Sequence, residues 1–266
     1  MRIERIAALL AKAERTDNPA EADAYLTKAQ FLATLASIDL AAARDHTHQS
    51  ENVTPISRTV SIGDKGKRAN THLVNLFVVV AHANSTHVDV ARDSTYVISY
   101  GMPSDLDAVQ ALFASIAVQM TSQGNDYVRQ GSWRGEKFDG RVRTAGGYRR
   151  RRIEFTAQTA RAAFYRAYVV RIGERLAQGR EEAIHSNDSA HPGTQSGALV
   201  LQSKEKTVAD FHRNTSQARG SWGGYTGVAS ANSGSAASAG RSAASRAELA
   251  QRAGIAGGRG QLPGSR

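Results

Sequence analysis

The sequence predicts an α+β protein: an N-terminal helical hairpin, a small mixed α/β core with a β-hairpin and long helices, and a disordered C-terminal tail. Three observations predict it. Apolar residues recur at helical spacing over 2–14, 20–35, 103–121 and 153–180. Short β-branched runs alternate with polar residues between these stretches. From Gln217 onward the chain is Gly, Ala, Ser and Arg with almost no large apolar side chains, too little to offset the entropy of ordering it.

The first helix follows from Ile3, Ile6, Ala7 and Leu10, which fall at i, i+3, i+4 and i+7. Asp17 or Asn18 can cap the second, with Pro19 at its first position and Glu21 in its first turn. Ala22, Leu26, Ala29 and Leu32 or Ala33 form the matching stripe. A short turn makes the pair antiparallel. Such a hairpin has too little core to stand alone, so it docks on the rest of the chain, a second copy or a partner.

The string Leu9-Leu10-Ala11-Lys12-Ala13-Glu14, then Asn18-Pro19-Ala20-Glu21-Ala22, Thr27-Lys28-Ala29-Gln30 and Ile38-Asp39 resembles the bacterial and phage family catalogued as domain of unknown function 2786. The resemblance covers roughly the first 40 residues, and the following segment is similar in layout to the one that usually follows in that family. Phe31-Leu32-Ala33-Thr34 departs from the Glu-Leu-Met-like string often found there. The family carries no catalytic residues over to this chain.

Residues 1–40 are thus the hairpin domain, and the polar residues 41–52, with His46, His48 and Glu51, read as a linker. Residues 53–216 make the α+β domain. Val53 to Ile62 suits a strand ending at Gly63. Leu73, Leu76, Phe77, Val80 and Ala81 have helical spacing, although Phe77-Val78-Val79-Val80 also fits a buried strand. Val88 and Val90, a turn at Arg92-Asp93-Ser94, and Tyr96-Val97-Ile98 predict a hairpin ending at Gly101. Pro103-Ser104-Asp105 starts a helix with Leu106, Val109, Phe113, Ile116, Ala117 and Met120 on one face. Residues 122–152 read as a Gly-rich and Arg-rich loop. A long helix follows over about 153–185, striped by Ala160, Phe164, Tyr168, Ile172 and Leu176. Ala198-Leu199-Val200-Leu201 reads as a short strand and 204–213 as a short helix. Residues 217–266 form the tail, with transient helix at 241–253.

Composition narrows the function classes. The chain has 266 residues and no cysteine, which removes disulfides, thiolate metal sites and a cysteine nucleophile. It has no apolar run long enough to span a membrane, and Glu4 and Arg5 interrupt any signal-peptide core, so a cytoplasmic location is expected. The formal net charge of +10 favours partners with phosphate backbones or acidic surfaces, although Arg greatly outnumbers Lys, as an Arg-preferring genome alone would also give.

The charge clusters. Arg129, Arg134, Lys137, Arg141, Arg143 and Arg149, Arg150, Arg151 and Arg152 lie in the predicted loop, interleaved with Trp133, Phe138 and Tyr148. Guanidinium groups pair with phosphate and aromatic rings stack on unpaired bases. In the tail, Arg219, Trp222 and Tyr225 sit among glycines. The nucleic-acid-binding candidates are therefore Arg134, Arg141, Arg143, Arg149 to Arg152, Trp133, Tyr148, Arg219 and Trp222. A solvated linker and an inert tail are the competing readings.

Enzyme signatures are missing: there is no Gly-x-Ser-x-Gly elbow, Walker A string or Rossmann fingerprint, and the histidines match no metal-ligand spacing and read as surface residues. No cofactor, metal or catalytic residue is expected. Asp89, Asp93, Asp105 and Asp107 are the only carboxylates singled out as holders of a divalent cation for nuclease chemistry. The expected function is a non-enzymatic nucleic-acid-binding accessory protein of a bacterium, phage or mobile element. The alternative is a protein–protein module that docks, as a homo-oligomer or with a partner, through residues 2–40. A metal-dependent nuclease is third.

Overall fold

The computed structural model describes residues 9, 19–46, 54–144, 146–220, 222 and 234–247. In chain order the elements are α1 (Pro19–His46), β1 (Ile56–Ser61), α2 (Asn70–Ala83), β2 (His87–Val90), β3 (Tyr96–Gly101), α3 (Pro103–Gln130), β4 (Lys137–Thr144), β5 (Gly147–Glu154), α4 (Ala157–Ala190), α5 (Gly197–Thr215) and α6 (Gly234–Ser245). This is the expected α+β architecture. Apart from Leu9, the predicted first helix lies outside the described residues.

Helix α4 is the axis. Its predicted stripe of Ala160, Phe164, Tyr168, Ile172 and Leu176 is wholly buried. It starts at Ala157 because Thr156 and Thr159 form a reciprocal capping box, and the preceding residues belong to β5. Helices α1, α2, α3, α5 and α6 all pack on it. Burying each large apolar side chain on this axis contributes about 1.5–3 kcal/mol.

Helix α1 runs through His46, so residues 41–46 of the predicted linker are helical. It crosses α4 at Gly179, where a Cβ would lie 2.6 Å from the Thr27 carbonyl oxygen. Gln30, fully buried, donates to Thr34 Oγ1 and Asn84 Oδ1, both at 3.2 Å, and so joins α1 to the end of α2. For the second helix of the hairpin, the fold uses the first of the three docking choices, the rest of the chain.

Phe77-Val78-Val79-Val80 is helical within α2. Its burial repeats at Val74, Phe77, Val80 and Ala81, and Phe77 meets Phe113 of α3 edge-on at 5.1 Å. The sheet is antiparallel in the order β1-β3-β2, with Ile56 opposite Gly101 and Val90 opposite Val97. Helix α3 begins with Pro103 at its first turn and ends at Gly131, whose φ of +74° suits a residue without Cβ.

Ala198-Leu199-Val200-Leu201 is the first turn of α5 rather than a strand. Val200, Leu201, Lys204 and Val208 form one buried helical face, which the short apolar run disguised. The Asp188 carboxylate accepts from Ser196 Oγ at 2.6 Å and from the Gly197 N–H at 2.7 Å, and so fixes the α4–α5 corner.

Within the predicted tail, Gly234–Ser245 is a helix packed on α4. Its contact residues Ala236, Ala237, Gly240, Ala243 and Ala244 are small and buried. A Cβ on Gly240 would overlap the Phe164 carbonyl, so backbone lies on backbone. Arg175, buried along its whole length, donates to the Ala244 carbonyl at the open end of α6. Residues 248–266 lie outside the described residues. Among the described residues no helix is long and apolar enough to cross a membrane.

Candidate nucleic-acid interface

Most of the described part of the stretch 122–152, read as a loop, is helix and strand. Helix α3 continues to Gln130, and residues 137–144 and 147–154 form a two-stranded antiparallel ribbon of β4 and β5. The turn that joins α3 to the ribbon is tightly tied. Arg134 N–H donates to the Gly131 carbonyl, Glu136 N–H to that of Trp133, and Phe155 N–H to that of Glu136. Gly135 takes a φ of +80° in this turn.

The ribbon is rooted at one end. Phe138 and Phe155 are buried with ring centroids 4.9 Å apart, and Ile153 packs beside them. Gly140 lets the Ile153 side chain lie across the strand, because a Cβ there would collide with it. Lys137 and Glu154 form an exposed ion pair at 3.4 Å on the opposite face, worth at most about 1 kcal/mol. Beyond this root β5 is exposed, and the two strands make their extended contacts with each other. Thr144 pairs with Gly147, whose φ of +113° turns the chain at the tip.

Strand register sorts the side chains. Residues directly opposite one another share a face, and successive residues alternate. Lys137, Asp139, Arg143, Tyr148, Arg150, Arg152 and Glu154 therefore share one face. Phe138, Gly140, Arg149, Arg151 and Ile153 share the other. Four consecutive arginines thus put charge on both sides of the ribbon. Among the described residues none of Arg143, Arg149, Arg150, Arg151 and Arg152 has a carboxylate at ion-pair distance.

The ribbon brings together Arg143, Arg149 to Arg152 and Tyr148, which is 71% exposed, and Arg141 pairs in register with Arg150. Trp133 has a different place. Its indole N–H donates to the Val128 carbonyl at 3.0 Å and its ring packs against the core. It braces the root of the ribbon, and the exposed Arg134 lies over its ring at 5.8 Å. Arg219 and Trp222 are exposed but follow α5, which packs on α1, α4 and the sheet. Arg241 and Arg246 are exposed on and just after α6, beside Arg171.

The four aspartates are not gathered. Asp89 bonds His212 and Ser216, Asp93 accepts from Thr95, Asp105 pairs with Lys204, and Asp107 pairs with Arg58 at 2.7 Å. Among the described residues no group of three His, Asp or Glu is placed to hold a metal ion. Among the described residues, these four aspartates do not converge on one site.

Sequence reasoning missed a polar cluster where α5 meets the sheet. Asp89 Oδ1 bonds His212 Nε2 at 2.9 Å, and Oδ2 accepts from Ser216 Oγ at 2.5 Å. His87 stacks on His212 at 5.1 Å, and Tyr100 meets it edge-on at 4.7 Å. Burial works against the Asp89 carboxylate, but hydrogen bonds from Ser216, His212 and Tyr100 outweigh it and hold its pKa below the usual value. Burial, with Asp89 beside it, pushes Tyr100 up to about 12. Both carboxylate oxygens are occupied and Ser216 bonds the aspartate rather than the imidazole, so this is a structural tie and not a nucleophile–base relay. His72 is also no surface residue: it is buried edge-on to Tyr165 at 5.2 Å. The 123-residue separation of Asp89 and His212 leaves no local signal for such a cluster.

No curated protein and no solved structure matches the chain. The ribbon therefore has to be read from its own residues. Residues 3–40 match the family model described as protein of unknown function (DUF2786), as the resemblance of the N-terminal strings implied.

Proposed function

We propose that the protein is a non-enzymatic nucleic-acid-binding accessory protein and that the β4–β5 ribbon is its principal contact with phosphate. One observation carries the reading: the ribbon's described arginines are exposed and have no carboxylate partner, on an arm rooted in the core. Residues 137–154 hold seven basic side chains (Lys137, Arg141, Arg143 and Arg149 to Arg152) against two acidic ones (Asp139 and Glu154). A net +5 on so small an element is a strong local field for a polyanion. Guanidinium groups suit phosphate through their planar fork of donors.

Tyr148, exposed on the same face as Arg150 and Arg152, adds a ring for contact with sugar or base. Arg219 and Trp222 would contribute a separate, weaker contact. Arg134 extends the basic surface at the root. The compartment that goes with this partner is the cytoplasm of a bacterium, including one that carries a phage or mobile element.

The test is fluorescence anisotropy of the full chain with labelled DNA and RNA across a salt series. Seven cations at most on the ribbon predict a log–log salt slope of about −4 to −6 on duplex DNA. No binding to any nucleic acid at low salt would overturn the reading.

A further inference from the structure

We infer that the β4–β5 ribbon enters the major groove of double-stranded DNA tip first, with each of its faces against one phosphate wall. The inference rests on the nucleic-acid reading above and adds the form of the ligand. Its first support is the two-sided charge. Arg150 and Arg152 lie on one face and Arg149 and Arg151 on the other, all exposed. A single strand laid over a flat surface meets one face and leaves the other pair in water. A groove has phosphate on both sides, so both pairs find partners.

Dimensions choose the groove. Sheets stack about 10 Å apart with ordinary side chains between them, so a ribbon whose arginines fold back along the walls needs a groove of at least that width. The major groove of B-form DNA is about 12 Å wide, and the minor groove about 6 Å. The major groove of A-form RNA is too narrow and deep for side chains to read. The ribbon's eight-residue strands extend roughly 26 Å at about 3.3 Å per residue, enough to reach the groove floor from the root.

The tip suits the leading position. A Cβ on Gly146 or Gly147 would meet nothing within 4 Å, so there is open space around the tip. Without a side chain at Gly146, the backbone there can approach base edges closely. The buried Phe138–Phe155 pair fixes the arm before binding, which lowers the entropy lost on insertion.

The test uses the full chain and labelled probes of one sequence as a DNA duplex, a DNA single strand and an RNA duplex, at matched salt. The DNA duplex is expected to bind about tenfold or more tightly than the other two. Methyl green, which occupies the major groove, should displace the protein, and netropsin, which occupies the minor groove, should not. The paired variants Arg149→Ser/Arg151→Ser and Arg150→Ser/Arg152→Ser should each weaken duplex binding about tenfold through lost phosphate contacts. Exposed on a rooted ribbon, these positions leave folding intact, which circular dichroism checks. Equal affinity for all three probes, or sensitivity to only one pair of arginines, would overturn groove insertion and leave nucleic-acid binding standing. No binding to any probe would overturn both.

Discussion

The molecule handles positive charge in two opposite ways. Around α5, Arg180 and Lys204 each hold a carboxylate and the His212 imidazole bonds a third. Arg180 pairs with Glu205 at 2.5 Å, Lys204 with Asp105 at 2.9 Å, and His212 with Asp89 at 2.9 Å. On the ribbon, Arg149 to Arg152 hold none among the described residues. The first set is partly or wholly buried, where an unpaired charge would be too costly to keep. The second is exposed, open to an external anion. Net charge therefore says less about a partner than the location of the charge that the fold leaves unmatched.

The comparison can be broken most sharply at Lys204. Its ammonium also donates to Ser37, and burial lowers its pKa despite the attraction of Asp105. Lys204→Met strands the Asp105 carboxylate in the core and should cost about 3–5 kcal/mol in urea unfolding. The double variant Lys204→Met/Asp105→Leu should recover much of the loss. If the single variant unfolds like the parent, the buried pair does not have the role assigned to it.

Acid should reveal the same economy of buried charge. Burial lowers the His72 imidazole to about 4 from an ordinary 6.5. Between those values the unfolded chain binds a proton that the folded chain refuses. Stability is therefore full above about pH 6.5 and falls as the pH drops towards 4, by about 2–3 kcal/mol from this group. His87, lowered by burial and by His212 and His82, adds in the same direction. His72→Leu should flatten the fall in urea midpoint between pH 7 and pH 5. An unchanged slope would remove His72 from the account.

A smaller effect is expected where α1 crosses α4. Gly179→Ala forces a Cβ against the Thr27 carbonyl and should cost about 1–3 kcal/mol, measured as a lower Tm. An unshifted Tm would show that the two backbones do not approach so closely. The smallest stability effect belongs to the ribbon: Arg149→Ser to Arg152→Ser together should change stability by no more than about 0.5 kcal/mol, since surface substitutions away from packing rarely exceed that.

The same contrast explains what could be read from the sequence. The α4 axis was legible because Ala160, Phe164, Tyr168, Ile172 and Leu176 repeat every four residues with no competing pattern. The ribbon was not. Its strands bury only their root, so β5 presents arginines where a half-buried strand would alternate apolar and polar residues. The sequence shows its residues as a basic group, but their division between two faces needs the register. Trp133 looked like a stacking ring until its N–H was found bonded to Val128. Helix α6 begins at Gly234, ahead of the transient helix expected at 241–253, because Ala and Gly pack through closeness of backbone rather than apolar bulk. The apolar run at 198–201 imitated a strand because its helical period becomes visible only when Lys204 and Val208 are included.

The central claim is that the ribbon's unmatched arginines, and not the charge of the folded body, hold nucleic acid. The most direct measurement compares the parent with the variant carrying Arg149→Ser, Arg150→Ser, Arg151→Ser and Arg152→Ser for binding to labelled duplex DNA at low salt, with Tm recorded for both. The account predicts an affinity loss of about a hundredfold or more and a salt slope shallower by about 3.6, at an unchanged Tm. Equal affinity at an equal Tm would contradict it.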